Sequence, residues 1–386
     1  MTGFPTPVVA SAGATDPRAP LVVLLHGRGS NEHDILGLAQ HLPTGPAYAA
    51  VRAPIAEGGG YAWFANRGIG RPVAHSLRAT MDWFRRWLDD VAPEGRPVVL
   101  IGFSGGAAFA GGLVLDDPTR YAGGAILYGT LPFDAGVPTT PARLAGVPVV
   151  VAQGEQDTVI PRELLDRTWR YLLNESGAPT IARRDPVGHS IAPEALATVG
   201  GWLAERLTFL ARHGQPAAAP MTWPTLPDGQ LPQRAGARPV VSDRIPQEQS
   251  SDNAPAEIQE QLVARVAALA GVSTRQSAIS VPGARGFMLD HTKRGPDDAF
   301  LVGAAGEFAH IHPSYDGSMH LALPMPLATD VIAKGWGVAH PLAGVRLTPG
   351  MVMLFGPRDA AELETVVAVV TASHAWASGE LTGVPA

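Results

Sequence analysis

The sequence has no cysteine among its 386 residues. This absence excludes disulfides, thiolate nucleophiles and metal sites with cysteine ligands, and it fits a reducing compartment. Charged residues are also scarce, at 17%, no run of lysine and arginine exceeds two residues, and the formal net charge is −6. We therefore expect neither a nucleic-acid partner nor a surface for anionic membranes.

Long hydrophobic runs are missing as well. The cleanest apolar stretches, such as Leu21–Leu25, are far shorter than the roughly 20 residues of a membrane-spanning helix. The first residues lack the basic start and apolar core of a secretory signal, so we expect a soluble, cytoplasmic protein without a membrane span. Hydrophobic residues nevertheless make up 46% of the chain, which excludes global disorder and suffices for the cores of two domains.

The first 210 or so residues alternate short, continuously apolar runs with longer stretches of helical periodicity. Such runs are typical of strands that are buried on both faces of a parallel sheet. We predict a doubly wound α/β domain over residues 1–213 with a mostly parallel sheet. The predicted strands are Leu21–Leu25, Val98–Ile101, Gly124–Leu127, Val149–Ala152 and Thr180–Arg183, and the predicted helices are Glu32–His41, His75–Val91, Gly105–Leu115, Arg162–Ser176 and Ala192–Arg212.

The composition changes after residue 213. Residues 215–255 contain eight prolines and no sustained periodicity, so we interpret 214–255 as a linker or as an extended arm. A smaller α+β domain with a mainly antiparallel sheet is predicted over 256–386. Its predicted helices are Ala256–Ala270 and Arg358–Ser373, and its predicted strands are Ala278–Val281, Gly286–Asp290, Ala299–Val302, Glu307–His312, Ser318–Leu323 and Gly350–Phe355.

The strongest local motif is GFSGG, residues 102–106, directly after the predicted strand Val98–Ile101. It places Ser104 in the pattern G-x-S-x-G between a strand and a helix, the context in which a serine sits on a sharp turn with its hydroxyl exposed. A hydroxyl is a weak nucleophile and needs a base to accept its proton. We therefore predict Ser104 as a nucleophile, with an incidental serine in a glycine-rich turn as the alternative.

The base and the acid that orients it should follow in the order Ser, Asp or Glu, His. Asp157 lies in a loop beyond the strand Val149–Ala152, at the sheet edge where active sites of open α/β sheets gather. Glu155 is the rival acid. His189 follows in a glycine-flanked loop before the last predicted helix, and we predict Asp157 and His189 as the partners of Ser104.

An acyl-transfer site also needs two backbone N–H groups that stabilise the developing negative oxygen. We predict the amide of Gly105, the residue after the nucleophile, as the first donor. The amide of Arg28, in the loop LHGRG after the first buried strand, is predicted as the second. The alternative is that this loop is a plain turn.

These motifs resemble those of a known family. LHGRGSNEHDILGLA, YAWF at 61–64, GFSGGAAFA, GEQDTVIP and GHSI look like the phospholipase/carboxylesterase family of α/β-hydrolases, which includes acyl-protein thioesterases, over about residues 15–210. The resemblance implies the same triad and oxyanion amides and a shallow acyl groove. Two positions depart from the family pattern, Gly105 in place of Gln or Asn and HGRG in place of HG-hydrophobe-G, and they affect the expected substrate preference. Tyr61, Trp63 and Phe64 are candidates for the groove wall, or for core packing.

Three histidines of the second domain form another candidate group. His310 and His312 point to the same face of a predicted strand, and His320 lies on the next one, with His340 and Glu307 as further candidate ligands. Imidazoles at this spacing could bind a metal. The interpretation we favour is a strand of half-buried histidines bonded to backbone groups, because no diagnostic ligand pattern accompanies them.

The C-terminal half also resembles a family. SVPGARGFMLD, GEFAHIHPSYDGSMHLALP, GWGVAHP and TPGMVMLFGPRDAAEL look like the family labelled "luciferase domain", over about residues 235–377. We carry over fold and boundaries from this resemblance and no chemistry, although its label suggests an oxygen-using activity.

The sequence therefore predicts a two-domain serine hydrolase that cleaves small esters or thioesters through an acyl-enzyme intermediate, without a metal or organic cofactor. The alternative is a protein that binds or senses a small molecule or metal through its C-terminal domain, with an auxiliary hydrolase half. The oligomeric state does not follow from the sequence.

Overall fold

The computed structural model describes residues 4–93, 95–214, 222–226, 228–242, 244–289 and 294–381. The described residues form two compact units, the first within 1–172 and 180–215 and the second within 173–179 and 216–386. The division into domains at 1–213 and 256–386, joined by 214–255, stays a prediction. Among the described helices, none combines the length and the apolar character that crossing a membrane requires.

The strands of the first unit are β1 Val9–Gly13, β2 Leu21–Leu25, β3 Ala47–Val51, β4 Ile55–Glu57, β5 Gly60–Ala62, β6 Asn66–Gly68, β7 Arg71–Pro72, β8 Val98–Phe103, β9 Gly123–Leu127, β10 Val149–Gly154 and β11 Thr180–Asp185. Seven of them form one sheet in the order β1-β3-β2-β8-β9-β10-β11. Strand β1 pairs with β3 in antiparallel fashion, and the other neighbours are parallel. The predicted α/β class with a mostly parallel sheet is therefore confirmed.

The helices of the first unit follow the predicted ones closely. They are α1 Glu32–Leu36, α2 Ala74–Val91, α3 Gly105–Asp116, α4 Arg162–Arg170 and α5 Pro193–His213. Helix α1 ends early because the chain continues as a 3₁₀ helix over Gly37–His41, and α4 continues as a π-helical turn over Tyr171–Glu175. Helix α3 is almost wholly buried, and its alanines and glycines let it pack closely against β8 and β9.

The first strand and its partner were not predicted. Strand β1 reads VASAG and β3 reads AYAAV, and both are rich in alanine, which is depleted in strands. Their hydrogen-bonded partners supply the stability that local preference lacks, since β1 runs along β3 over its whole length. Tertiary pairing thus overrides a weak local signal.

The elements of the second unit are α6 Ala256–Ala267, β12 Val272–Gln276, β13 Arg285–Leu289, β14 Glu307–Ile311, β15 Met319–Ala322, α7 Met325–Ala333, β16 Gly337–Ala339, β17 Met351–Leu354 and α8 Ala360–Ser378. The strands form a six-stranded antiparallel sheet in the order β12-β13-β14-β15-β17-β16. Helix α8 packs on β13, β14 and β15 and also contacts α6. The predicted α+β class with an antiparallel sheet is confirmed.

Two predicted strands of this unit are wrong. Ala278–Val281 is a loop, because side chains bond its amides: Ala278 N donates to Glu307 Oε2 at 2.7 Å and Ser280 N to Ser277 Oγ at 3.0 Å. Ala299–Val302 lies at the end of a 3₁₀ turn and forms only a single bridge, from Val302 to Glu307. Helix α7 and the short strands β12 and β16 were not predicted.

The described residues of 214–255 belong to the second unit and are anchored in it. Trp223 Nε1 donates a hydrogen bond to Asp330 Oδ2 at 2.7 Å, and the Trp223 side chain is buried. The carbonyl of Pro232 accepts a hydrogen bond from Trp336 Nε1 at 2.6 Å. These contacts hold an otherwise irregular segment against the antiparallel sheet unit.

Candidate active site

Ser104 occupies the sharp turn between β8 and α3. Its backbone has φ 55° and ψ −115°, a conformation that L-residues rarely adopt. The glycines on either side allow this turn: a Cβ on Gly102 would collide with the carbonyl of Gly106, and one on Gly106 would collide with the carbonyl of Leu25. The predicted glycine-dependent turn is therefore a steric necessity of the local backbone.

Of the three residues predicted as a triad, His189 lies within hydrogen-bonding distance of the other two. His189 Nε2 lies 2.8 Å from Ser104 Oγ, and His189 Nδ1 lies 2.8 Å from Asp157 Oδ2. The carboxylate fixes the tautomer in which Nδ1 carries the proton, so Nε2 can accept one from the serine. The geometry is that of a nucleophile, a base and an orienting acid.

The carboxylate of Asp157 is buried and held in place by its own loop. Its Oδ1 accepts hydrogen bonds from Val159 N at 2.8 Å and Ile160 N at 3.0 Å, which leaves Oδ2 for His189. The rival Glu155 is exposed, and within the described residues its side chain makes no hydrogen bond. The loop favours Asp157 over Glu155 as the partner of the histidine.

A buried network that sequence reasoning missed supports the loop of His189. Tyr128 donates a hydrogen bond to Asp185 Oδ2 at 2.5 Å and accepts one from Ala192 N at 3.1 Å. Burial alone would raise the pKa of Asp185, but the hydrogen bonds from Arg183 and Tyr128 hold it below its ordinary value. No local motif marks Tyr128, whose role depends on where the loop 186–192 returns to the sheet.

The two predicted oxyanion amides are close together. Gly105 is the first residue of α3, so its N–H has no acceptor within the helix. A Cβ built on Gly105 would lie 3.3 Å from Arg28 N, so the loop of Arg28 passes close to the start of α3. In the described part of the chain, the Arg28 amide has no protein acceptor either. Both N–H groups are therefore free to stabilise a negative oxygen.

The side chain of Arg28 does not point freely into solvent. Its guanidinium bonds both carboxylate oxygens of Glu57, and the hydrogen bond lowers the pKa of Glu57. The next residue, Gly29, donates its amide to Tyr61 O at 2.9 Å. These bonds tie the loop LHGRG to the hairpin of β4 and β5 and so position the Arg28 amide.

The three aromatic candidates for a groove wall differ in exposure. Trp63 is 1% exposed, stacks on Phe109 with 4.4 Å between ring centroids and donates to His26 O. Phe64 is also buried, whereas Tyr61 is half-buried with Arg52 over its ring. The burial of Trp63 and Phe64 favours the core-packing alternative, and substrate contact stays a prediction for all three.

Phe103 is a neighbour of the site that the sequence analysis passed over. It lies inside GFSGG, is half-buried, and its ring centroid is 5.3 Å from that of His189. Gly27 passes close to this ring, since a Cβ there would lie 3.1 Å from a Phe103 carbon. The motif could have indicated a site residue here, because the residue before the nucleophile must lie beside it.

In the second unit the structure brings His310, His312 and His320 together, and each offers a ring nitrogen within 4.8 Å of the others. The three side chains are buried and face a cavity of about 470 Å³, which His340 also lines. Burial lowers the pKa of His310 and His320, and it lowers that of His340 to about 3. The lowered pKa values favour the neutral form of His310, His320 and His340, which is the form of imidazole that ligates metals.

Comparisons with known proteins match two separate segments of the chain. Residues 6–206 match the phospholipase/carboxylesterase family and residues 305–373 match the luciferase domain family. The candidate hydrolase MhqD of Bacillus subtilis (strain 168) is 27% identical over 198 residues, covering 48% of this chain and 94% of that protein. The luciferase of Armillaria ostoyae is 30% identical over 223 residues, covering 51% of this chain and 79% of that protein.

Among solved structures, the carboxylesterase of Bacillus cereus is 23% identical and aligns with a TM-score of 0.47 over 52% of this chain and 94% of that chain. The family match spans more than half of the chain and contains every residue of the Ser104 site. The chain therefore belongs to the phospholipase/carboxylesterase family and is a carboxylesterase-type hydrolase.

Proposed function

We propose that the protein hydrolyses small carboxylic esters or thioesters through Ser104, His189 and Asp157 and an acyl-enzyme intermediate. The observation that carries this proposal is the position of His189, which lies 2.8 Å from both Ser104 Oγ and Asp157 Oδ2. A single imidazole in contact with a hydroxyl and a buried carboxylate is arranged to accept a proton on one side and to be stabilised on the other.

In the first half-reaction Ser104 Oγ attacks the carbonyl carbon while His189 Nε2 accepts the hydroxyl proton. The carbonyl oxygen becomes an oxyanion, which accepts hydrogen bonds from the amides of Gly105 and Arg28. His189 then donates its proton to the leaving alcohol or thiol as the bond to the acyl carbon breaks. Asp157 stabilises the imidazolium that exists between these two proton transfers.

In the second half-reaction a water molecule replaces the leaving group. His189 accepts a proton from this water, whose oxygen attacks the acyl-enzyme carbonyl. The oxyanion forms again on the same amides, the proton returns to Ser104 Oγ, and a carboxylic acid is released. Side chains, backbone amides and water supply every group that the reaction requires.

The first test is hydrolysis of p-nitrophenyl esters of increasing chain length, from acetate to laurate, by the wild type and by Ser104→Ala. We expect the variant to lose about 10⁴-fold or more of kcat, because no nucleophile remains. Ser11→Ala, an exposed serine on β1, is the matched control and should keep full activity. A folded wild type without activity on any of these esters or on the corresponding thioesters would refute the proposal.

The acyl-enzyme can be tested separately with a fluorophosphonate reagent, which forms a stable bond to an activated serine. We expect intact-mass analysis to show a single adduct, mapped to Ser104 by peptide sequencing and absent from Ser104→Ala. An adduct at another serine, or hydrolysis that survives Ser104→Ala, would assign the chemistry elsewhere.

The proposal rests on residues of the first unit. The luciferases of Armillaria ostoyae and Armillaria mellea align with about half of this chain, and that name describes those proteins. The cytoplasmic location, the absence of a nucleic-acid partner and the choice between ester and thioester stay predictions.

A further inference from the structure

The second unit contains two buried imidazoles whose lone pairs face each other. His310 and His320 are directly opposite on β14 and β15, and His310 Nε2 lies 3.2 Å from His320 Nδ1. His310 Nδ1 lies 2.8 Å from the carboxylate of Glu307, which accepts a hydrogen bond from the Nδ1–H. Because a neutral imidazole carries one N–H, His310 Nε2 is left with a lone pair.

His320 has the opposite tautomer. Its Nε2 lies 3.0 Å from the side-chain oxygen of Gln247, while the Gln247 amide nitrogen donates to Ala339 O at 3.2 Å. An amide oxygen only accepts, so His320 Nε2 carries the proton and Nδ1 presents a lone pair. Two lone pairs at 3.2 Å in a buried site repel each other unless a shared cation lies beside them.

His312 supplies a third lone pair to the same place. Its Nδ1 lies 2.6 Å from Asp316 Oδ2, so in the neutral ring Nε2 is the nitrogen that presents a lone pair. The Asp316 carboxylate is itself oriented, since Oδ1 accepts from Ser318 N at 2.9 Å and Oδ2 from Gln249 N at 3.2 Å. The ligand atoms of the three histidines all lie within 4.8 Å of one another.

An irregularity in the sheet creates part of this arrangement. The register between β13 and β14 shifts by one residue, because Phe287 pairs with Ala309 and Met288 pairs with Glu307. The extra residue, Phe308, packs on His374 of α8, while Glu307 turns to the face of His310. A β-bulge that re-aims a side chain in this way is typical of functional sites.

We propose that His310, His312 and His320 bind one divalent transition-metal ion, with the remaining coordination position open to the cavity of about 470 Å³. Two nitrogens bound tetrahedrally at 2.0–2.1 Å lie about 3.4 Å apart, which is close to the 3.2 Å between His310 Nε2 and His320 Nδ1. Glu307 and Asp316 accept hydrogen bonds from His310 and His312. A carboxylate in this position orients an imidazole ligand and strengthens its binding to a metal.

The donor set decides the class of metal. Neutral imidazoles favour Zn²⁺, Co²⁺, Ni²⁺, Cu²⁺ or Fe²⁺, whereas Mg²⁺ and Ca²⁺ require oxygen ligands. Three protein ligands with an open position are typical of sites that bind water or a small oxygen or nitrogen ligand. His340 lies on the cavity wall, and because its Nδ1 accepts from Leu342 N at 3.1 Å, it retains an N–H to donate.

The test is a titration of tag-free, full-length protein, stripped with a chelator, with Zn²⁺ alone and with Co²⁺ alone. We expect one ion per chain by calorimetry and by elemental analysis after desalting, and no saturable binding of Mg²⁺. The Co²⁺ form should show the visible absorption bands that are typical of a Co²⁺ ion with four or five ligands. These bands should shift when azide is added, because azide binds at the open coordination position. A folded chain that binds no Zn²⁺ or Co²⁺ would overturn the proposal.

Variants show whether the bound ion occupies this site. His312→Ala should abolish saturable Zn²⁺ binding, and Asp316→Asn should weaken the affinity about 10–100-fold by releasing the ring of His312. His374→Gln is the matched control, a buried histidine of the same unit that bonds Ala270 O instead. Binding that is equal in the wild type, His312→Ala and a second ligand variant, His320→Ala, would show that the ion binds elsewhere.

Discussion

The hydroxyl of Tyr128 bonds both ends of the distant segment 185–192: it donates to Asp185 at 2.5 Å and accepts from the amide of Ala192 at 3.1 Å. Asp185 ends β11, and Ala192 ends the loop that carries His189. The position of the proposed base thus depends on a buried hydrogen bond outside the triad.

Tyr128→Phe should therefore lower both stability and activity. The change leaves the Ala192 amide without its acceptor and the Asp185 carboxylate with one donor fewer, at a cost of about 1–3 kcal/mol in the free energy of unfolding. Displacement of the His189 loop should reduce kcat roughly tenfold or more with a smaller change in KM. Urea unfolding and ester kinetics measure the two effects, and unchanged kcat would show that the loop is held by other contacts.

The stability of the first unit should fall in acid because of Asp185. Its pKa is below the ordinary value in the folded protein, so its contribution is fully present above the pKa of the unfolded chain, about 3.9, and is lost as the pH falls through the folded pKa. Tyr128→Phe removes a hydrogen bond to the carboxylate, raises its folded pKa and should move acid unfolding to higher pH. Asp90→Asn, an exposed carboxylate on α2, should leave the acid transition unchanged.

The choice between two acids can be tested directly. Asp157→Asn should reduce kcat by about 10⁴-fold, because the amide no longer fixes the productive tautomer of His189. Glu155→Gln should leave kcat within about twofold, since surface changes away from buried contacts have small effects. The reverse pattern in p-nitrophenyl ester kinetics would assign Glu155 as the orienting acid.

The glycines of the Ser104 turn should tolerate no side chain. Gly106→Ala places a Cβ against the carbonyl of Leu25, in backbone that has no room to move, so we expect at least about 1–3 kcal/mol of destabilisation. Gly201→Ala, in the middle of α5 with open space around it, is the control and should be about 0.5–1 kcal/mol more stable. Similar melting temperatures for the two variants would contradict the steric argument.

Much of the first unit followed from local patterns. The continuously apolar strand Leu21–Leu25 has the predicted bounds, and GFSGG lies at the predicted junction of strand and helix, because both signals are contained in a few consecutive residues. The order of Ser104, Asp157 and His189 could also be proposed from sequence, since each follows a predicted strand at the same sheet edge.

Other features depend on contacts between distant residues. Strand β1 forms through its pairing with β3, and the loop 278–281 forms because Ser277 and Glu307 bond its amides. Neither origin is visible in a window of neighbouring residues. The support of the His189 loop likewise depends on Tyr128, which lies 57 positions from Asp185 and 64 positions from Ala192.

The sequence by itself determined the class of both units and the candidate triad, because residue type, order and periodicity are local properties. Only the tertiary structure decided that Glu307 reaches His310, that Gln247 bonds His320, and that ring nitrogens of three histidines come within 4.8 Å of one another beside one cavity. The physical reason is that the hydrogen-bond partner of one ring nitrogen decides which nitrogen of a neutral imidazole carries the proton and which carries the lone pair. For His320 that partner, Gln247, comes from a distant segment of the chain.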